Sequence, residues 1–285
     1  MNAVLWTSET ENMDFSLYKN YFMALKTYFG ENIFKVDSVD KLDGIKNMFI
    51  IDEHFKFHNE ILMNEDFIKK INLENVNVIV FNMEKIYNSF WRHNLLIQKN
   101  LSKINNLVQI LSDVQDIKKM GTPFKNIQYL SREINESTVN SSKKNEILFY
   151  GQIDGSAYKQ RRKILNNISK FVDIPVKIKK SDRSLSYEKY LELISEYKFI
   201  LNPLGAGKFL NIRYFETLQV KSIPIQQYTE DMVPYYPELK KNISINFINL
   251  RELKSINFLQ VEKTPFKYYL ENYFNDIELS KLLVK

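Results

Sequence analysis

The sequence predicts an α/β protein with two doubly wound domains that face each other across a cleft. Short β-branched and apolar runs alternate with segments of helical apolar spacing, which is typical of a mostly parallel sheet covered by helices on both faces. Residues 131–145 interrupt this alternation with a polar stretch rich in Ser and Asn, after which it starts again. We therefore predict one domain at residues 1–135, a second at 146–262, and a helical segment at 263–285 that packs across both.

Each domain is assigned from its own run of strands and helices. In the first, we predict strands at 3–6, 33–36, 48–51, 76–81, 107–111 and 127–130, and helices at 15–29, 60–71, 87–100 and 113–120. In the second, we predict strands at 147–150, 175–179, 199–202, 223–226 and 243–247, and helices at 158–171, 187–197 and 212–219. Ligands of such sheets bind at the carboxyl ends of the strands, so the segments that follow the strands are the candidate sites.

Composition excludes several classes of protein. The 285 residues are 44% hydrophobic and contain no cysteine, which excludes disulfides and cysteine-ligated metals and suits the cytoplasm, where we place the protein. No apolar run approaches the roughly 20 residues of a membrane span, and the N-terminus lacks the layout of a signal peptide. The net charge of +6 comes mostly from lysines that are interspersed with acids, so we expect no nucleic-acid partner. Codon bias, which enriches Lys, Asn and Ile in proteins from AT-rich genomes, would also explain the excess of lysines.

The segment 199–227 combines the features of an anion site. It reads as a buried strand, a turn at Gly205-Ala206-Gly207, a helix, and a second buried strand. Arg213 and Glu216 are one helical turn apart, so both project from one face. We predict that the turn, Lys208 and Arg213 hold phosphates and that Glu216 accepts hydrogen bonds from ribose hydroxyls. The alternative is a structural Arg–Glu ion pair beside an ordinary turn.

The segment 149–163 offers a second group of cations. A strand ends at Gly151, and the helix that follows the loop carries Arg161, Arg162 and Lys163. Gly151 allows a ligand to approach the backbone, and arginine binds phosphate oxygens with two parallel hydrogen bonds. We predict that these residues contact a diphosphate. The alternative is a solvated basic helix face.

The first domain supplies the candidates for acid–base chemistry. Asp52 follows the strand at 48–51, and Asn82 and Glu84 follow the strand at 76–81. A carboxylate at this edge of the sheet could accept the proton of an acceptor hydroxyl, so Glu84 and Asp52 are the predicted catalytic residues. For Glu84 the alternative is a first-turn helix residue, and for Asp52 it is a solvated loop. His54 and His58 have zinc-like spacing but lack the glutamate of H-E-x-x-H, and we predict no metal site there.

Common cofactor and metal motifs are absent from the sequence. There is no Asp-x-Asp, no Walker A motif, no G-x-G-x-x-G and no G-x-S-x-G. The kinase, dinucleotide and hydrolase classes are therefore weakly supported. We expect no metal and no cofactor, with arginines and helix ends neutralising the diphosphate.

These motifs, in this order, resemble those of two-domain GT-B glycosyltransferases, especially small bacterial or viral members of the group-1-like and CgeB-like sets. Gly151 with Arg161–Arg162 matches their strand–Gly and Arg-Arg helix. The residues from Arg213 to Ile225 match R-x-x-E-x-L-x-x-x-x-I-P-I. The segments Asn82-Met-Glu-Lys, Trp91 and 116–121 are also similar, so the resemblance covers roughly residues 77–227.

The resemblance implies two Rossmann-like domains, with the acceptor side at 1–135 and the nucleotide-sugar side at 146–262. It implies that Glu216 is the ribose carboxylate and that Arg161, Arg162 and Arg213 contact the phosphates. The implied activity is metal-independent transfer of a sugar from a nucleotide sugar to a glycan, lipid-linked or protein acceptor in glycan biosynthesis. The first glutamate of the Glu-x₇-Glu pattern is missing here, which leaves inverting and retaining stereochemistry open.

Two further possibilities remain at this stage. A non-catalytic nucleotide- or glycan-binding protein could use the same scaffold, because a fold does not fix a function. The segment that contains Lys263, Lys267, Tyr268 and Tyr269 could make a peripheral contact with a membrane surface, although packing across the two domains explains its aromatic residues as well.

Overall fold

A computed structural model describes residues 1–5, 25–26, 29–52, 59–82, 92–111, 113–120, 140, 142–181, 185–205, 207–240 and 242–262. Contacts between Cα atoms divide the chain into two compact units, Met1–Arg132 with Phe274–Lys285 and Glu133–Tyr273. The predicted strand at 127–130 and the predicted helical segment at 263–285 lie outside the described residues.

The first unit contains a parallel sheet of five strands in the order β2-β1-β3-β4-β5. The strands are β1 (Asn2–Leu5), β2 (Ile33–Val36), β3 (Asn47–Asp52), β4 (Asn77–Asn82) and β5 (Leu107–Leu111). Their β-branched and aromatic residues form pleated surfaces that bury well on both faces. An asparagine ladder crosses three strands at the amino end, where Asn47 Nδ2 donates to Asn2 Oδ1 and Asn77 Nδ2 donates to Asn47 Oδ1, each at 2.9 Å.

Four helices are described in this unit: α1 (Asn59–Met63), α2 (Glu65–Leu73), α3 (Arg92–Leu101) and α4 (Val114–Met120). The single helix predicted at 60–71 is two helices, so that prediction is wrong in this detail. Asn64 separates them because its side chain accepts hydrogen bonds from the Asp66 and Phe67 N–H groups and caps α2. A residue that caps a helix has an extended backbone, which ends the helix before it.

The second unit contains another parallel five-stranded sheet, in the order β10-β9-β8-β6-β7. Its strands are β6 (Lys144–Gly151), β7 (Val176–Lys180), β8 (Tyr197–Asn202), β9 (Ile223–Gln227) and β10 (Ile245–Phe247). Its α-helices are α5 (Lys159–Leu165), α6 (Tyr187–Ser195) and α7 (Ile212–Gln219). The helix predicted at 158–171 is shorter than expected, since α5 ends at Leu165 and a 3₁₀ turn follows at Ile168–Lys170.

Strand order in the second unit creates one preferred place for a ligand. From β6 the chain moves to β7 on one side, and then it returns across the sheet to β8 on the other side of β6. Crossovers on opposite faces diverge at this point and leave a crevice at the carboxyl ends of the two central strands. Gly151 ends β6 and Asn202 ends β8, so these residues flank the crevice.

Apolar side chains cover both faces of the second sheet. One cluster joins odd-numbered strand residues such as Phe149 and Phe199 to Ile164 and Ile168. The other joins Leu148 and Ile200 to residues of α6.

Two parallel sheets with flanking helices confirm the predicted α/β class, whereas the cleft between the domains stays a prediction. None of the helices in the described part of the chain is long and apolar enough to cross a bilayer.

Candidate functional site

A glycine ends β6, and an arginine packs directly against it. Gly151 is the last residue of β6, and Arg213 lies in the first turn of α7. A Cβ atom on Gly151 would lie 2.2 Å from Arg213 Nη2 and 3.2 Å from Phe149 Cζ. The absence of a side chain at Gly151 is therefore what lets the guanidinium group reach the end of the strand.

A second arginine packs in the same way on the turn that follows β8. A Cβ atom on Gly205 would lie 2.7 Å from Arg161 Nη2. Gln227, the last residue of β9, holds this turn, because its Oε1 atom accepts a hydrogen bond of 3.0 Å from the Leu204 N–H. Gly151 and Gly205 are both among the residues predicted to contact the sugar donor. Each lies against an arginine that is predicted to bind phosphate.

Aromatic rings support both guanidinium groups. The Cζ atoms of Arg213 and Arg161 lie 5.1 Å and 5.9 Å from the centroid of the Phe149 ring. Arg161 Cζ is also 4.5 Å from the centroid of the Tyr158 ring. A ring face attracts a cation without occupying its N–H groups, so these contacts position the arginines and leave donors for other partners.

The positive charges of the two arginines lie close enough to affect each other. Arg161 is 6% exposed, and its Nη1 atom donates to the Gln152 carbonyl at 2.8 Å. Burial, together with the charge of Arg213, lowers the pKa of Arg161 to about 10. Within the described residues, neither arginine forms an ion pair, and the Nε atoms of both are buried without a hydrogen-bond partner. Arg161 is buried and Arg213 is half-buried, and cations in such positions favour an anionic ligand.

Unpartnered polar atoms concentrate in the same region. In the described part of the chain, ten buried side-chain atoms lack a hydrogen-bond partner, and six of them belong to Arg161, Asn202, Asn211, Arg213 and Gln226. Asn202 and Gln226 are Cα partners near the ends of β8 and β9, and both are fully buried. Because nearly all buried polar groups in proteins are hydrogen-bonded, this concentration points to a site that binds a polar ligand. No local sequence pattern indicates that the Asn202 amide and the Gln226 Oε1 atom are without hydrogen-bond partners.

Glu216, the predicted ribose carboxylate, is 4% exposed and is bonded to a tyrosine. The Tyr190 hydroxyl donates to Glu216 Oε2 at 2.9 Å. Burial and the Glu216 carboxylate raise the pKa of Tyr190 well above its usual value, and the Arg213 charge opposes this shift. Sequence reasoning missed Tyr190, which lies on the apolar face of α6 and looks like an ordinary core residue.

Arg162 lies beside Arg161 in the chain but makes a different set of contacts. Its Nη1 atom donates to the carbonyls of Ile153 and Gly155, at 2.8 and 2.6 Å. Gly155 has a φ of 102°, a conformation that favours glycine. Arg162 thus fixes the loop between β6 and α5. Lys163 is exposed.

The remaining residues that are predicted to contact the sugar donor lie after β8. Lys208 Nζ is 3.1 Å from Asp231 Oδ2, in the 3₁₀ turn Glu230–Met232, so its charge is shared with a carboxylate. Gly207 is buried, and Ala206 lies outside the described residues. The structure therefore brings Gly151, Gly205, Arg161 and Arg213 together directly, and it gives Lys208 and Arg162 other partners.

The predicted catalytic residues belong to the first unit. Asp52 ends β3, and its Cα atom is paired with that of Asn82 at the end of β4. Both positions are at the carboxyl edge of the sheet, as expected for a site in a parallel sheet. Glu84, His54, His58 and Trp91 lie outside the described residues.

Comparison with other proteins gives only distant similarities. No protein-family model matches the chain, and no curated protein matches it. An α1,3-fucosyltransferase crystallised with GDP-fucose is 13% identical and has a TM-score of 0.45, with 96% of this chain and 81% of that chain covered. UGT89C1 from Arabidopsis thaliana, complexed with UDP-L-rhamnose, is 10% identical with a TM-score of 0.44, with 99% and 91% covered.

A third solved structure belongs to a different class of enzyme. The NAD⁺-bound 3-phosphoglycerate dehydrogenase of Entamoeba histolytica is 12% identical and has a TM-score of 0.27, with 100% of this chain and 98% of that chain covered. At these identities and TM-scores the similarities carry no information about activity or ligands. The assignment of a function has to rest on the residues of the chain.

Proposed function

We propose that this protein is a glycosyltransferase that moves a sugar from a nucleoside-diphosphate sugar to a hydroxyl group of a glycan, lipid-linked or protein acceptor, without a metal. One observation carries the proposal: Arg161 and Arg213 converge on the ends of β6 and β8 with no carboxylate partner in the described residues. Two guanidinium groups match a diphosphate in both charge and donor geometry. A phosphodiester with one negative charge would balance only one of the two positive charges.

The proposed role of the arginines is to stabilise the leaving group. In sugar transfer, the bond between the anomeric carbon and the donor's phosphate oxygen breaks while a bond to the acceptor oxygen forms. The electron pair of the broken bond stays on the diphosphate, and positioned cations stabilise the charge that develops there. The turn at Gly205–Gly207 and the first N–H groups of α7 would add hydrogen bonds to the same phosphates.

The other predicted residues take the remaining roles in this proposal. Glu216 would accept hydrogen bonds from ribose hydroxyls; a carboxylate has about four acceptor positions, so the bond from Tyr190 does not prevent this. The acceptor's proton would pass to Glu84 or Asp52 in the first unit. Lys208 and Arg162 would support the turn and the loop around the diphosphate.

Binding of nucleotides tests the donor half of the proposal. Calorimetry with UDP-, GDP- and CMP-sugars should show binding of a diphosphate sugar and little binding of the CMP-sugar, which has one phosphate. Arg161→Gln and Arg213→Gln should each weaken binding by about tenfold or more. Lys163→Gln, on the same helix as Arg161 but exposed, should have little effect. If no nucleotide sugar binds, or all three variants behave alike, the proposal is wrong.

Turnover tests the catalytic half. Donor hydrolysis and sugar transfer should be measured for the wild type, Glu84→Gln and Asp52→Asn, in buffer containing EDTA and again with added Mg²⁺. The proposal expects activity in EDTA and a loss of kcat in the variant that removes the base. Binding without turnover under all conditions would favour the non-catalytic binding protein instead.

A further inference from the structure

The aromatic ring of Tyr158 lies in a slot between two glycines. A Cβ atom on Gly155 would lie 3.8 Å from Tyr158 Cδ2, and one on Gly205 would lie 3.7 Å from Tyr158 Cε1. These two ring atoms belong to opposite edges, so the glycines border the ring on both sides. Arg162 holds the Gly155 side in place, since its Nη1 atom donates to the Gly155 carbonyl at 2.6 Å. The backbone around the ring therefore fixes its orientation and, with it, the position of the Tyr158 hydroxyl.

Tyr158 and Arg161 border the same space above Gly205. The point where a Cβ atom of Gly205 would lie is 2.7 Å from Arg161 Nη2 and 3.7 Å from Tyr158 Cε1. The Tyr158 hydroxyl is two bonds from Cε1, so it lies at the border of this space. Gly205 is half-buried, which leaves the space open to a ligand from solvent. A phosphate group suits this space, because one of its oxygen atoms can accept from Nη2 while another faces the hydroxyl.

Both side chains have hydrogen-bond donors without a partner. Within the described residues, the Tyr158 hydroxyl makes no hydrogen bond, and Arg161 makes only the one from Nη1 to the Gln152 carbonyl. Arg161 Cζ lies 4.5 Å from the centroid of the Tyr158 ring, and this contact with the ring face occupies neither Nη2 nor the hydroxyl. A neutral hydroxyl adds a donor without placing a third positive charge beside the two arginines.

We propose that the Tyr158 hydroxyl donates a hydrogen bond to the phosphate group that Arg161 binds above Gly205. This inference rests on the proposed function, because it adds a binding residue to the same diphosphate site. A hydrogen bond to an anion is stronger than one between neutral groups. In sugar transfer the charge on the diphosphate grows as its bond to the sugar breaks, so the hydroxyl also stabilises the leaving group.

Two substitutions of Tyr158 separate its hydroxyl from its ring, with inorganic pyrophosphate as the ligand in calorimetry. Tyr158→Phe keeps the ring against Arg161 and removes one oxygen atom, and it should weaken pyrophosphate binding about tenfold. Tyr158→Leu also removes the ring face that positions the guanidinium group, so it should weaken binding by about a further threefold or more.

Tyr235→Phe is the matched control. Tyr235 is another half-buried tyrosine of the second unit, and its side chain makes neither a hydrogen bond nor a contact with an arginine in the described part of the chain. Its pyrophosphate affinity should stay within about twofold of the wild type. Thermal unfolding of each variant checks that the fold is native, which we expect because Tyr158→Phe removes only a hydroxyl that has no partner in the described residues.

A double-mutant cycle tests whether the hydroxyl and Arg161 bind the same phosphate group. Arg161→Gln alone should weaken pyrophosphate binding about tenfold or more. Adding Tyr158→Phe to Arg161→Gln should then cost less than about threefold, because the phosphate is no longer held above Gly205 beside the hydroxyl. Fully additive losses would mean that the two groups do not share a phosphate, which overturns the inference.

The outcomes distinguish this inference from the proposed function. If the wild type does not bind pyrophosphate, or if Arg161→Gln binds it equally well, the proposed function is wrong and the inference fails with it. If Arg161→Gln weakens binding and Tyr158→Phe does not, the inference is wrong and the proposed function stands. A loss in Tyr158→Leu alone would show that only the ring matters, and an equal loss in Tyr235→Phe would show that the effect is not specific. Either result overturns the inference.

Discussion

Arg161 lies close enough to Arg213 that the second charge adds to burial in lowering the pKa of the first to about 10. The usual value for the guanidinium is 12.5, so the protonated form of Arg161 destabilises the folded protein by about 3 kcal/mol at neutral pH. An anion between the two groups would remove most of this destabilisation, which links the stability of the site to its occupancy.

Removing the Arg161 charge should stabilise the unliganded protein. For Arg161→Met we expect the free energy of unfolding at pH 7 to rise by about 1–2 kcal/mol, since the loss of the hydrogen bond to the Gln152 carbonyl offsets part of the gain. Urea unfolding measures this change. Pyrophosphate affinity should fall about tenfold or more in the same variant.

The pH dependence of the free energy of unfolding tests the effect of the Arg161 charge independently. As the pH rises above 10, Arg161 loses its proton in the folded wild type before it does in the unfolded chain. The unfolded chain then binds more protons than the folded one. The free energy of unfolding of the wild type therefore rises relative to that of Arg161→Met. The advantage of the variant should therefore shrink as the pH rises through 10. Lys163→Met, an exposed charge on the same helix, should change stability by no more than about 0.5 kcal/mol. A destabilised Arg161→Met protein at pH 7 would contradict the interpretation.

Adding one methyl group at the end of β6 should displace the other arginine. In Gly151→Ala the new Cβ atom would overlap Arg213 Nη2, which is the mobile end of a long side chain. We expect the fold to persist while the guanidinium group moves, so that thermal unfolding changes little and pyrophosphate affinity falls about tenfold. Gly205→Ala should act in the same way through Arg161. Unchanged affinity in both variants would mean that the arginines do not bind the phosphate.

Replacing Asn202 should raise the stability of the protein and weaken ligand binding, as expected of a residue whose buried polar atoms bind a ligand. Its side-chain amide is fully buried, and neither of its polar atoms has a hydrogen-bond partner in the described structure. Asn202→Leu removes these atoms, so we expect the free energy of unfolding to rise by about 1 kcal/mol while nucleotide-sugar affinity falls. Chemical denaturation and calorimetry measure the two effects.

Asn47→Leu is the matched control for that change. Asn47 is also buried, but its amide is bonded to Asn2 and Asn77 in the ladder of the first sheet. Its replacement leaves partners unsatisfied and should lower the free energy of unfolding by about 1–3 kcal/mol. If Asn202→Leu destabilises the protein as much as Asn47→Leu does, the two amides have the same structural role.

Lys143 should contribute more to stability than its neighbour Lys144. Lys143 Nζ donates to the carbonyls of Ser195 and Val220, at 2.6 and 2.8 Å, and so binds the C-terminal ends of α6 and α7 at once. Lys143→Met should lower the free energy of unfolding by about 2 kcal/mol. Lys144→Met removes an exposed ion pair with Glu196 and a cation–π contact with the Tyr197 ring, and it should have a smaller effect. Equal effects of the two substitutions, measured by urea unfolding, would exclude the helix-end role.

The elements that were predicted well are those with a strong local pattern. The β-branched run at 76–81 and the alternation around Gly151 and Gly205 place β4 and β8 within two residues of their observed bounds, and β6 within three. The errors fall where one side chain changes a helix. Asn64 splits a helix by capping the next turn, and hydrophobic periodicity alone does not reveal such a cap.

Local sequence patterns were enough to predict the α/β class and the two arginine-bearing segments, because periodicity and glycine positions act over a few neighbouring residues. The folded chain was needed to see that Arg161 and Arg213 share the Phe149 ring, that Tyr190 donates to Glu216, and that Asn202 is buried without a partner in the described structure. These contacts join residues far apart in the chain. Strand order and the direction of each crossover bring them together, and neither is encoded in any local pattern.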